Sequence, residues 1–168
     1  LKATDMTSIN VIDFGCGKSY LTFICYHYMT KIAGKKVNIV GLDLKKKVIE
    51  DCNALAKKYG YDNLNFLCMD IKDYLPKVRP DMVIALHACD IATDMAIAAG
   101  INNGARAIFA VPCCHKELLG QYSYDEFAPI LKHGIFKARM ADLLTDSLRC
   151  LLLEAMGYTV TAQEYISP

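Results

Sequence analysis

At 168 residues, 54% of them hydrophobic, the chain is long enough to bury the core of one ordinary domain. Its 19 Lys and Arg nearly balance 18 Asp and Glu, and a net charge of +1 gives no global electrostatic case for a nucleic-acid or membrane partner. Charge interrupts every apolar stretch short of membrane-spanning length, no signal-peptide pattern is present, and the eight cysteines lack the spacing of a disulfide framework. Reduced thiols and a cytoplasmic setting are therefore expected.

In chain order, short runs rich in Val, Ile and Leu near 9–14, 37–42, 64–69, 81–87, 105–111 and 158–166 read as strands. Helix-compatible stretches alternate with them at 18–33, 45–59, 91–102, 124–132 and 136–156. That alternation predicts a Rossmann-like, doubly wound α/β fold with a mostly parallel sheet. Right-handed crossovers then bring all the strand tips to one edge. In the last helix Leu143, Leu144, Leu148, Leu151 and Leu152 recur at three- and four-residue steps, which predicts a core-facing helix stopped at Gly157. Residues 1–168 read as a single domain. The start at Leu1 and the stop after Ser167-Pro168 suggest a piece of a longer chain, whose remaining parts would be partners.

The first strand runs into Asp13-Phe14-Gly15-Cys16-Gly17-Lys18-Ser19-Tyr20, and the second ends at Asp43. Gly15 and Gly17 let the backbone turn tightly and approach a ligand, and Asp43 is placed to accept from ribose hydroxyls. A dinucleotide fingerprint would need glycine where Tyr20 stands. A P-loop ending in Gly17-Lys18-Ser19 would need its leading glycine at Ile12, inside the strand. The remaining option is the Asp-x-Gly-x-Gly turn of class I S-adenosylmethionine (SAM) methyltransferases, which this segment resembles. That resemblance implies that the turn holds the methionine moiety, and that Asp70 and Ile71, after the third strand, meet the adenine ring. The expected cofactor set is Asp13, Phe14, Gly15, Cys16, Gly17, Ser19, Tyr20, Asp43, Leu44, Asp70, Ile71 and His87. Asp70 also suits a helix N-cap, and the two roles are compatible.

Strands four and five end in His87-Ala88-Cys89-Asp90-Ile91-Ala92-Thr93-Asp94 and Pro112-Cys113-Cys114-His115-Lys116-Glu117-Leu118. Together with the first turn and Leu143–Tyr158, these patterns resemble a methyltransferase-domain family. It includes the eukaryotic methyltransferase-like and ribosomal-RNA-adenine-dimethylase-domain-containing proteins. The resemblance spans nearly the whole chain. It implies a SAM-dependent enzyme with a seven-stranded class I sheet, here lacking its last strand, and it suggests an RNA acceptor only through the family's naming. Adenine-N6 methylases carry Asn/Asp-Pro-Pro-aromatic after strand four; His87-Ala88-Cys89-Asp90 stands in that place and argues against adenine dimethylation.

The expected reaction centre is His87, Asp90, Cys113, Cys114 and His115, with Cys89 in the same neighbourhood. Three chemistries suit it: base-assisted transfer by His87 or His115, covalent cytosine-C5-type catalysis by Cys113 or Cys114, and a metal held by His, Cys and Asp. Adjacent Cys113-Cys114 lacks the Cys-x2-Cys spacing with which two thiolates grip one ion, so no metal is expected. Alternatively the cysteines are buried small hydrophobes. A SAM-binding scaffold or sensor without turnover is the reading from a different class. His27 and His133 are expected to be structural.

Overall fold

The computed structural model describes residues 8–86 and 88–163. They divide between two compact units, one ending at Cys113 and the other beginning at Cys114.

The first unit is a five-stranded, wholly parallel sheet in the order β3-β2-β1-β4-β5, formed by β1 (Ile9–Phe14), β2 (Val37–Asp43), β3 (Leu64–Cys68), β4 (Met82–Ala85) and β5 (Ala107–Ala110). Three helices cross between strands: α1 (Tyr20–His27), α2 (Lys46–Lys58) and α3 (Ile91–Asn102). The expected Rossmann-like, doubly wound α/β fold with a parallel sheet is thus present. Its strand order reverses between β1 and β4, where sheets of this kind open a crevice at their carboxyl edge.

Side-chain alternation explains both faces. Ile9, Val11, Val37, Ile39 and Ile84 pack on one side with Tyr26 of α1 and Ile49, Cys52 and Ala56 of α2. Ile12, Phe14, Leu42, Val83 and Ala85 pack on the other with Ala96 of α3. The registers Val11↔Ile39 and Val11↔Met82 keep these rows aligned, so a slip of one residue would expose both cores. α2 buries Ile49, Cys52 and Ala56 at helical spacing and places Lys57 and Lys58 in its last turn, where they suit the negative end of the helix dipole.

The predicted first helix is α for only eight residues; Tyr28–Ile32 is then wound as a π-helix, with the Thr30 hydroxyl donating to the Tyr26 carbonyl at 2.7 Å. The π segment ends the helix, so no later turn carries the phase shift that would announce it in the sequence.

The second unit holds α4 (Ala128–Leu131), which packs on α5 (Gly134–Ala155). Two expectations fail here. Residues 158–163 form no strand, and 164–166 lie outside the described residues. A β-rich sequence becomes a strand only when a ladder partner takes it. The leucine stripe of α5 is not core: Leu143 is 65% and Leu151 60% exposed, whereas Ala141 and Arg149 are buried. Among the described residues no helix is long and apolar enough to cross a membrane.

Candidate functional site

The turn after β1 is built by hydrogen bonds to the neighbouring strand. The Cys16 amide donates to the Leu42 carbonyl at 3.0 Å, and the Gly17 amide donates to Asp43 Oδ2 at 3.0 Å. Asp43 Oδ1 accepts from the Lys45 amide at 2.9 Å, and the Met69 amide after β3 donates to the Asp43 carbonyl at 3.2 Å. One residue thus ties the tips of β1, β2 and β3 together. Gly15 and Gly17 both take positive φ, at 69° and 53°, the left-handed region that favours glycine. A Cβ on Gly15 would come within 3.7 Å of Ala88, whereas one on Gly17 would point into open space. The turn therefore borders the segment after β4 on one side and faces open space on the other.

Asp13 is buried beneath this turn. Thr22 of α1 donates to its Oδ2 at 2.5 Å. Burial pushes the Asp13 carboxyl up to about 6; the Thr22 hydroxyl opposes that shift and the nearby Asp43 charge adds to it. Burial likewise pushes the Cys16 thiol up to about 12, which leaves it a neutral packing group. Ser19 also takes the left-handed conformation, at φ 58°. Its amide donates to the Cys16 carbonyl at 2.8 Å, and its hydroxyl faces the Cys16 and Gly17 carbonyls at 3.4 and 3.3 Å. Phe14 is fully buried against Tyr74, so only its backbone can face a ligand. Tyr20 and Leu44, at 71% and 69% exposure, stand open to solvent.

Asp70 is the cap that Asp commonly makes after a strand. Its Oδ1 accepts from the Lys72 amide at 3.1 Å and starts the single turn Ile71–Asp73. Ile71 is half-buried against the Phe14–Leu42 cluster.

The tips of β4 and β5 differ in kind. His87 lies outside the described residues. Asp90 has φ 53° and ψ −120°, the first corner of a type II′ turn closed by the Ala92 amide on the Cys89 carbonyl at 3.1 Å. Glycine normally fills that corner. Thr93, wholly buried, holds the turn from inside: its hydroxyl donates to the Ala88 carbonyl, and its amide donates to the Asp90 carbonyl at 2.9 Å. Cys89 Sγ and Cys113 Sγ are 3.2 Å apart, and both residues are exposed. Cys114 is half-buried. No disulfide forms among the described residues, which include all eight cysteines.

In the second unit His115 is held between two acids of α5. Its Nε2 is 2.9 Å from Asp146 Oδ1 and its Nδ1 is 3.5 Å from Asp142 Oδ1. The buried Arg149 donates to the same Asp146 oxygen at 3.1 Å. Both ring nitrogens thus face carboxylates, so a base role for His115 would require one of them to move. His27 pairs with the Tyr61 hydroxyl at 2.9 Å, and His133 leads into α5 against Phe136.

Thr22, Asp142, Asp146 and Arg149 were not anticipated from sequence. A signal existed for the acids: Asp142 and Asp146 are four apart on one helix, hence on one face. Thr22 gave no comparable sign.

The family description Methyltransferase domain matches residues 2–121. Nothing among curated proteins matches. Solved structures that match include coclaurine N-methyltransferase bound to N-methylheliamine and SAH, at 15% identity over 51% of this chain and 24% of that one, with TM-score 0.42. The YcgJ protein from Bacillus subtilis matches at 18% identity over 59% and 41%, with TM-score 0.44. The CMeT domain of the citrinin polyketide synthase matches at 14% identity over 57% and 26%, with TM-score 0.44. The chain thus spans between 24% and 41% of the lengths of these three.

Proposed function

The chain belongs to the methyltransferase-domain family, and on that premise we propose that it transfers a methyl group from SAM to an acceptor at the tips of β4 and β5. The observation that supports this reading is the Asp43–Gly17 bond, which sets an acid suited to ribose hydroxyls beside a glycine turn with open space in front of it. The residues fit the cofactor. Gly15–Gly17 receive its methionine end, Asp43 accepts from the ribose with the lone pairs that Gly17 and Lys45 leave over, and Asp70 and Ile71 flank the adenine. When bound, SAM supplies an electrophilic methyl on a sulfonium. The chain's part is to fix the acceptor in line with that methyl and to exclude water, since orientation alone supplies much of the rate.

The acceptor is proposed more coarsely. RNA is suggested by the resemblance stated above, and cytosine-C5 chemistry would draw on the exposed Cys113. A SAM-binding module without turnover is favoured by one observation, the occupation of both His115 nitrogens by Asp142 and Asp146.

Calorimetric titration with S-adenosylhomocysteine (SAH) tests the reading. The wild type should bind, and Asp43→Ala should lose about 100-fold in affinity, two charge-assisted hydrogen bonds being worth about 3 kcal/mol or more. Asp70→Asn should lose less. A folded wild type that gives no binding heat overturns the proposal.

A further inference from the structure

The pair Cys89–Cys113 has no task in cofactor binding, yet the fold goes to some length to make it. β4 and β5 are adjacent and parallel, with Ala85 opposite Ala110, and the Val111 amide on the Ala85 carbonyl at 2.9 Å carries the ladder toward the tips. Cys113 therefore leaves a fixed strand end. Cys89 is set by the type II′ turn whose Asp90 corner is strained, a conformation that costs about 1–3 kcal/mol outside glycine and persists only where surroundings enforce it. Buried Thr93 supplies that enforcement. The result is two sulfurs 3.2 Å apart on exposed residues. Their exposure is unlike the usual fate of a structural cysteine, which is to fill a core as a small hydrophobe.

Two chemistries are open to such a pair. A disulfide requires about 2.05 Å, so the sulfurs would have to close by more than about 1 Å and find an oxidant. Two thiolates on a tetrahedral zinc ion, with Zn–S near 2.3 Å, sit about 3.8 Å apart. The pair would have to open by only about 0.6 Å, within reach of small side-chain rotations on exposed loops. Soft thiolate sulfur also favours zinc over the hard cations.

We propose that Cys89 and Cys113 bind a zinc ion through two thiolates. Its remaining positions are open to water or to a donor atom of another molecule. Binding releases the two thiol protons to solvent, so uptake strengthens as pH rises. That the open positions face a methyl acceptor rests on the methyl-transfer reading above; the metal site itself does not.

The test uses the whole chain, reduced and stripped of metal, titrated with cadmium and followed by the ultraviolet thiolate-to-metal charge-transfer band, with zinc then competing the signal away. One equivalent should bind. Cys89→Ser and Cys113→Ser should each abolish the band, while Cys25→Ser and Cys68→Ser, at thiols elsewhere in the sheet unit, should retain it. Circular dichroism of the same variants checks that they are folded, and SAH titration reports separately on the cofactor reading. A folded wild type without the band, or a band that survives both Cys89→Ser and Cys113→Ser, overturns the proposal.

Discussion

The tips of β1 and β2 and the tips of β4 and β5 belong to one sheet edge but are made differently. At β1 and β2 the backbone turns through glycines, amides meet the Asp43 carboxylate and the Leu42 carbonyl, and Asp13 lies buried underneath. At β4 and β5 a non-glycine residue occupies a glycine conformation, and two thiols stand exposed. A shared cofactor can be met by a preformed, hydrogen-bonded cradle that many acceptor chemistries reuse. On the proposed function the tips of β4 and β5 meet the acceptor, where one enzyme must differ from another, and functional sites are where backbone strain gathers. The first half should therefore be brittle to mutation and the second tolerant in stability.

Gly41→Ala is the hardest blow to the first half. Gly41 pairs in register with Asp13, and a Cβ there would lie 2.5 Å from Phe66 Cδ1 and 3.1 Å from Cys16 Sγ. Phe66 is buried and cannot swing aside, so the overpacking should cost about 3 kcal/mol. At roughly 2–4 °C per kcal/mol for a chain of this size, a melting temperature lower by about 10 °C is expected. An unchanged melting temperature would mean that the cradle is looser than its contacts imply.

Asp13 gives the first half a pH signature. Its folded carboxyl titrates at about 6, above the ordinary value of 3.8, because burial disfavours the charged form. The native state thus holds a proton that the unfolded chain releases earlier. This contribution is full below about pH 4, is lost as pH rises through about 6, and amounts to about 3 kcal/mol across that window. Asp13→Asn keeps an acceptor for the Thr22 hydroxyl and removes the charge. Urea unfolding across the same window should show a flatter profile for the variant, and greater stability than the wild type above pH 6. Parallel profiles would place the titration elsewhere.

The same contrast decides what could be read from sequence. β1 and α3 fall where their apolar runs and flanking turn residues put them, because a buried parallel strand needs a continuous Val, Ile and Leu run and little else does. The glycine turn after β1 was readable for a related reason: it and the acids at the ends of the first strands are local in the chain. Contacts between residues distant in sequence were not. That Cys89 meets Cys113 depends on β4 lying beside β5, and that His115 meets Asp142 and Asp146 depends on the path of α5. The leucines of α5 misled because helical spacing reports an apolar face without reporting whether anything covers it.

Asp90 offers the smallest effect and the cleanest separation of the two halves. In Asp90→Gly the φ of 53° becomes an allowed conformation, which removes about 1–3 kcal/mol of strain, while the added flexibility of the unfolded chain returns about 0.4–1 kcal/mol. Asp90→Ala keeps the strain and removes the carboxylate, so the difference between the two variants isolates the backbone. The glycine variant should be the more stable by about 1 kcal/mol in urea unfolding, with SAH affinity the same in both. If alanine proved the more stable, the strained corner would not exist in solution. If SAH affinity moved with the substitution, the tips of β4 and β5 and the turn after β1 would have to be treated as one mechanical unit, coupled through the approach of Ala88 to Gly15.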